Sequence, residues 1–339
     1  MIRLFKVLAV FMVLGMSACT DSNDDLYSPE QGIYVLSGGD NSWAVSFYQF
    51  STGEVIEDYY RVMNPNDVSA GESAVCFAKR RNNAYILTKG AAGSGSINVI
   101  DFSSFKSTKK IGGFDSPVAF TFLNDSAAVV ANAGVKPSLS FCDISKSSVV
   151  SSLELNYKPG QLMIKGKYIY VAHPENNLVS VIDHADKKVV YEIPTLNHPN
   201  GLVIDATNDV WIYCQGAGLT KIKHLSWENE LIREDFPLSG ASSQAMFNIG
   251  MAPSGAYVYY FENGLKRHFI NNRLLPEKGM IADEEPSKFR GFNIDEKSGN
   301  IYYLEQGSSS DKLKIYQSNG NVLKELTVCG NAIQTLSFY

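Results

Sequence analysis

The side chains best suited to proton transfer or metal ligation in this sequence are its five histidines, His173, His184, His198, His224 and His268. None forms an HExxH pair, and no two stand at metal-ligand spacing. A GxSxG elbow, a Walker loop and a GxGxxG placed between strand and helix are missing too. Gly90, Gly93 and Gly95 are clustered, but their segment joins two expected strands and offers no helix N-terminus to hold phosphate. The carboxylates are scattered over expected turns. Cys76, Cys142, Cys214 and Cys329 fall in four separate stretches, mostly apolar, as expected of buried free thiols. Neither a metal nor a cofactor is expected from this inventory, and catalysis is the weaker expectation.

Side chains distant in sequence can still be gathered by a fold, so the elements decide. A short apolar segment with an aromatic or β-branched second residue recurs seven times. Those second residues are Tyr34, Tyr85, Val129, Tyr170, Trp211, Tyr257 and Tyr302, spaced 51, 44, 41, 41, 46 and 45 residues apart. A period near 45 is that of a four-stranded propeller blade. Strands opened by Pro117, Pro159 and Pro199 precede three of the markers, where proline costs no ladder donor. Hairpin arms follow the markers and end in Asp101, Asp143 and Asp183, a residue that starts turns by bonding backbone two residues on. No stretch after Cys19 has the apolar spacing of a helix. The expectation is therefore an all-β, seven-bladed β-propeller spanning residues 32–339.

Closure is legible as well. No strand precedes the first marker, while the chain runs past the last one into Ala332 to Tyr339. That terminal segment is expected to be the inner strand of the first blade, leaving no free edge in the ring.

In such a ring, loops after the marker strands and crossings between blades surround the mouth of the central channel, where ligands bind. Loop positions hold Trp43, Lys89, Asn132, His173, Gln215 and Phe261; crossings hold Tyr59, Tyr60, Arg61, Tyr157, His198, Phe289 and Arg290. Aromatic rings beside amides and guanidinium groups suit a large ligand, a small molecule or oligosaccharide with apolar and polar parts. Trp43 leads the set, because a Trp among Gly, Asp, Asn and Ser has little strand packing to explain it. Trp211, inside a marker strand, is expected in the core.

Composition narrows the class. The chain has 339 residues, 45% hydrophobic and 19% charged, which fits a globular core. A net charge of −5 argues against a nucleic-acid partner, whose phosphates need a basic face. Residues 1–18 read as a signal peptide, with Arg3 and Lys6 before the apolar run from Val7 to Met16. Ten residues rise only about 15 Å as a helix, too short to span a bilayer. Ser17-Ala18-Cys19 resembles a bacterial lipobox, with Cys19 as the acylated residue. Residues 19–31 then form an acidic tether. The expected location is the outer membrane, lipid-anchored and facing the cell surface.

Gly32-Ile33-Tyr34-Val35-Leu36, Gly53 and the run from His198 to Asp205, with Asp209 to Cys214, resemble YncE-like lipobox propellers of Bacteroidetes type. That group includes the BtuG-type surface lipoproteins. The resemblance implies capture of a nutrient, a cobalamin-like corrinoid as first guess, and its transfer to an outer-membrane transporter. The opening loop Ser37-Gly38-Gly39-Asp40 departs from the Asn-Glu-Gly pattern of that branch. Two other functions compete. One is a propeller lyase or lactonase using His173 and His198; the other is a protein-interaction platform with an apolar rim.

Overall fold

The computed structural model describes residues 32–39, 42–67, 72–224, 231–238, 249–282, 286–328, 330 and 332–338. The signal segment, Cys19 and the tether lie outside them, as does Cys329.

Seven four-stranded antiparallel sheets form a seven-bladed β-propeller. Blade 1 is built from both chain ends: Ala332–Phe338 is innermost, followed outward by Gly32–Gly39, Ser42–Gln49 and Val55–Ile56. Blades 2 to 7 occupy residues 72–115, 117–154, 162–194, 199–237, 249–282 and 289–328, each running from the inner to the outer strand.

The marker residues have a common task. Successive strand residues point to opposite faces, so each second strand packs one set of side chains against the blade before and the other against the blade after. Ile33 and Val35 join Tyr302 and Leu304 of blade 7, whereas Tyr34 and Leu36 join Phe77 and Ile86 of blade 2. Tyr85, Val129, Tyr170, Trp211 and Tyr257 likewise face the following blade. Every neighbouring pair of blades is sealed by one such cluster, including blade 7 with blade 1. The recurring aromatic is the plug of a wedge-shaped gap between twisted sheets.

The expected ring closure is present. Gly32 pairs with Phe338 and Ser37 with Ala332, with a register shift after Leu36. Gln334 adds a clasp to the next blade: its Nε2 donates to the Phe77 carbonyl and its Oε1 accepts from the Phe77 N–H, both at 2.8 Å.

The turn-starting aspartates behave as expected. Asp101 accepts from Ser104 N at 2.9 Å, Asp143 from Lys146 N at 3.0 Å and Asp183 from Ala185 N at 3.0 Å. Cys76, Cys142 and Cys214 are free thiols. One departure concerns helix: Tyr59–Met63 forms a single turn that buries Tyr59 and Tyr60. It is too short to show helical periodicity in sequence. This insertion also explains why the first marker spacing is the longest.

A polar cluster lies between blades 5 and 6. Trp211 Nε1 donates to Asp205 at 2.8 Å, and Lys221 Nζ sits 3.1 Å from Asp209, 3.5 Å from Asp205 and over the Trp211 ring. His268, 1% exposed, packs its ring 5.4 Å from both Trp211 and Phe236. Both of its ring nitrogens are buried with no hydrogen-bond partner among the described residues. Burial, with the Lys221 charge second, pushes its pKa down to about 4. An unfolded histidine titrates near 6.5, so between those values the unfolded chain binds the extra proton. The neutral ring's contribution is thus complete above about pH 6.5 and drains away as pH falls through about 4. Replacing His268 with Phe removes two unsatisfied nitrogens and this linkage. Thermal melts at pH 7 and pH 5 should show a Tm at pH 7 at least equal to wild type and a smaller fall on acidification. Identical falls in the two proteins would contradict the assignment.

Candidate functional site

Inner strands of blades 1 to 5 and 7 border a common cavity of about 750 Å³, within the range of pockets that take drug-sized ligands. Close approach of inner strands sets its width. A Cβ on Gly201 would meet Ile249 Cγ2 at 2.7 Å, and one on Gly250 would meet Phe292 and Ile294 at 2.9 Å.

The apolar part of the lining comes from Val75, Val118, Phe120, Leu162, Phe292 and Leu304. The polar part holds five carboxamides, Gln161, Asn200, Gln215, Asn293 and Gln334, together with His198 and Arg290. Among the described residues, no carboxylate belongs to the lining. Cys76 also borders it, and burial pushes that thiol up to about 12, so it remains protonated and a poor nucleophile. Among the described residues no group of three His, Cys, Asp or Glu could hold a metal.

Three of the sequence-derived candidates meet here. His198 is exposed, with a left-handed φ of 55°. That turn is held by its N–H donating to Asn177 Oδ1 and its carbonyl accepting from Gln215 N, both at 2.9 Å. Gln215 follows the second strand of blade 5, and Arg290 is the second residue of the inner strand Phe289–Ile294. The Arg290 Nε is buried without a hydrogen-bond partner among the described residues.

The other candidates lie elsewhere. Trp43, 3% exposed, is a strand residue opposite Gly38, with its ring 4.5 Å from Tyr60. The expectation that it lacked packing is corrected: the tight hairpin begins its strand at Ser42. Tyr59 packs on Phe47 and Phe105 at 5.2 and 4.8 Å, Tyr60 donates its hydroxyl to Asp67, and Arg61 pairs with Asp58 at 3.1 Å. None of these four lines the cavity. Phe261 and Phe289 are buried and stacked at 3.7 Å, and neither lines the cavity. Asn132 is buried within blade 3, donating to Ser140 Oγ at 2.9 Å, and Lys89 is a half-buried strand residue of blade 2.

His173 is fully buried in blade 4. Its Nδ1 meets the Lys158 carbonyl at 3.1 Å, its Nε2 meets Ser180 Oγ at 2.9 Å, and the half-buried Tyr157 ring stands edge-on at 5.6 Å. Burial holds its pKa below the usual histidine range. Pairing with His198 in one open site is therefore not what the fold provides: Pro174, the next residue, borders the cavity and His173 does not.

Sequence reasoning passed over Gln161, Asn200, Asn293 and Gln334 as site residues. A usable signal existed for two of them: a carboxamide one or two residues after the proline that opens an inner strand.

Seven blades around an axial, amide-lined mouth define a seven-bladed β-propeller. More particularly, the chain belongs to the family described as "Domain of unknown function (DUF5074)", which matches residues 31–327. No curated protein matches the sequence. Solved structures show the same fold at low identity. A quinonprotein alcohol dehydrogenase-like protein from Bacteroides thetaiotaomicron is 15% identical with a TM-score of 0.68, over 92% of this chain and 79% of that one. The periplasmic gluconolactonase of Pseudomonas aeruginosa is 14% identical with a TM-score of 0.68, over 91% and 99%. A Lactobacillus plantarum protein is 11% identical with a TM-score of 0.69, over 90% and 98%.

Proposed function

We propose that this protein is a lipid-anchored surface propeller that captures a polar nutrient in its axial mouth and passes it to an outer-membrane transporter. The observation that carries this reading is the lining itself: five carboxamides and a set of apolar side chains around a cavity of about 750 Å³, with no carboxylate among the described residues. Amides donate and accept hydrogen bonds at any pH, which suits recognition of hydroxyl and amide groups. Acid–base turnover needs titratable groups placed on the bond to be broken, and His198 is the single imidazole among the described lining residues. The lipobox-like segment at Cys19 supports the anchored location, and the YncE-like resemblance supports a corrinoid as the first ligand to try.

Calorimetric titration of the full chain in detergent, with cyanocobalamin and with neutral and acidic oligosaccharides, tests this. Saturable binding is expected for one class, weakened about thirtyfold by Gln161→Ala with Asn200→Ala, the loss of two hydrogen bonds of about 1 kcal/mol each. No saturable binding by any class would sink the proposal.

A second reading, hydrolysis of a sugar lactone, is favoured by His198 and Arg290 sharing one mouth. Its mark is turnover of glucono-δ-lactone that disappears in His198→Ala. Binding without turnover leaves capture as the function.

A further inference from the structure

We infer that the axial mouth recognises a carboxylate-bearing ligand, held at its acid group by Arg290. This deepens the capture reading and rests on it.

Arg290 is the one Lys or Arg among the described lining residues. Several other buried or half-buried cations are neutralised within the fold. Lys221 meets Asp205 and Asp209, Lys266 meets Glu262 at 2.5 Å, and Lys314 meets Glu305. No ion pair is formed by Arg290 among the described residues, and its buried Nε has no acceptor there. A charged donor left unsatisfied out of water is costly. A bound acceptor removes that cost.

The kind of acceptor follows from charge and shape. The planar guanidinium offers parallel N–H donors that match the two oxygens of a carboxylate. One guanidinium matches one carboxylate, and further acid groups of a larger ligand stay in solvent outside the mouth. A phosphate dianion would concentrate two charges on one group, in a mouth whose other described polar groups are amides and His198. The carboxamides Gln161 and Asn200 then serve hydroxyl or amide groups on the rest of the ligand, and Phe292 and Leu162 cover its C–H surface. The chain's net charge of −5 opposes this little at physiological ionic strength, where charges beyond about 8 Å are screened.

The test uses the full chain in detergent and three probes: trigalacturonate, its methyl ester and inorganic phosphate, each titrated against wild type, Arg290→Gln and Arg290→Lys. Trigalacturonate is expected to bind at least about tenfold more tightly than its ester. Arg290→Gln should erase that difference while leaving ester binding within about twofold, which also shows that the variant is folded. Arg290→Lys, which keeps the charge and loses the fork, should restore only part of it. Equal binding of acid and ester, or an acid preference that survives in Arg290→Gln, overturns the inference and leaves capture standing. Phosphate binding tighter than trigalacturonate overturns the carboxylate assignment. Failure of the acid, the ester and the corrinoid alike overturns the capture reading together with this one.

Discussion

Removal of residues 332–339 is expected to abolish the cooperative native transition. The deleted segment contains the whole innermost strand of blade 1, paired with Gly32–Gly39 over six residue positions. Ile33, Tyr34, Val35 and Leu36 are fully buried at the centre of the seams to blades 7 and 2, and losing the strand beside them exposes their ladder edge at the axis. Buried backbone groups left unpaired cost roughly 1–3 kcal/mol each, so six positions, about 6–18 kcal/mol in all, match the 5–15 kcal/mol that holds a typical domain folded. The expected result is a broad, non-cooperative melt and exposed apolar surface. A single substitution gives a graded version. Gln334→Ala orphans the N–H and carbonyl of the buried Phe77, which should cost about 2–4 kcal/mol by denaturant unfolding. A truncated chain melting like the full one would show that the ring does not depend on this strand.

Trp211→Ala is expected to be the most damaging single substitution, costing about 4–6 kcal/mol. A fully buried Trp truncated to Ala typically costs 3–5 kcal/mol through transfer and cavity terms. Here two further losses add: the 2.8 Å hydrogen bond to Asp205 and the ring beneath Lys221. Tm should fall by roughly 10 °C. Trp211→Phe separates the contributions in part, since it keeps an aromatic ring in the seam and removes Nε1–H with about a third of the indole. Burial alone would raise the Asp205 pKa, but hydrogen bonds from Thr207 and Trp211 hold it below the usual carboxylate range. A depressed carboxylate stabilises the fold above its unfolded pKa near 3.9, and that contribution is lost as pH falls through the folded value. Without the indole donor the folded value rises, so the acid limb of the stability curve should move to higher pH in Trp211→Phe. An unchanged acid limb would mean that the indole donor does not tune Asp205.

The fold was legible because blade packing is written locally. A strand that seals two seams must alternate, and the gap it fills on one side is large enough to select Tyr or Trp at nearly every repeat. The hairpin aspartates are local too, since each acts within three residues of itself. Even closure could be read, as the first marker lacks a partner that the chain's last residues can supply.

The site was legible only in part. His198, Gln215 and Arg290 were identified because they flank strand ends on the mouth face. Trp43, Tyr59 and Tyr60 misled for one reason: an aromatic beside glycines and polar residues looks exposed in sequence, but a tight hairpin and a single helical turn fold these rings onto Tyr34 and Phe47. Gln334 could not be recognised as axial until its strand was placed beside Gly32–Gly39. His173 and His198 looked equivalent from their spacing, yet one is enclosed by blade 4 and the other opens on the mouth.

The sequence by itself determined the number of blades, the turns between strands and the way the ring is sewn, because those depend on contacts between residues close in the chain or on one repeated wedge. Only the tertiary structure decided which polar groups share the axial cavity and which are spent inside a blade. That choice depends on the direction in which each inner strand enters the axis and on the register that turns Arg290 inward, and neither is encoded in the spacing of the residues themselves.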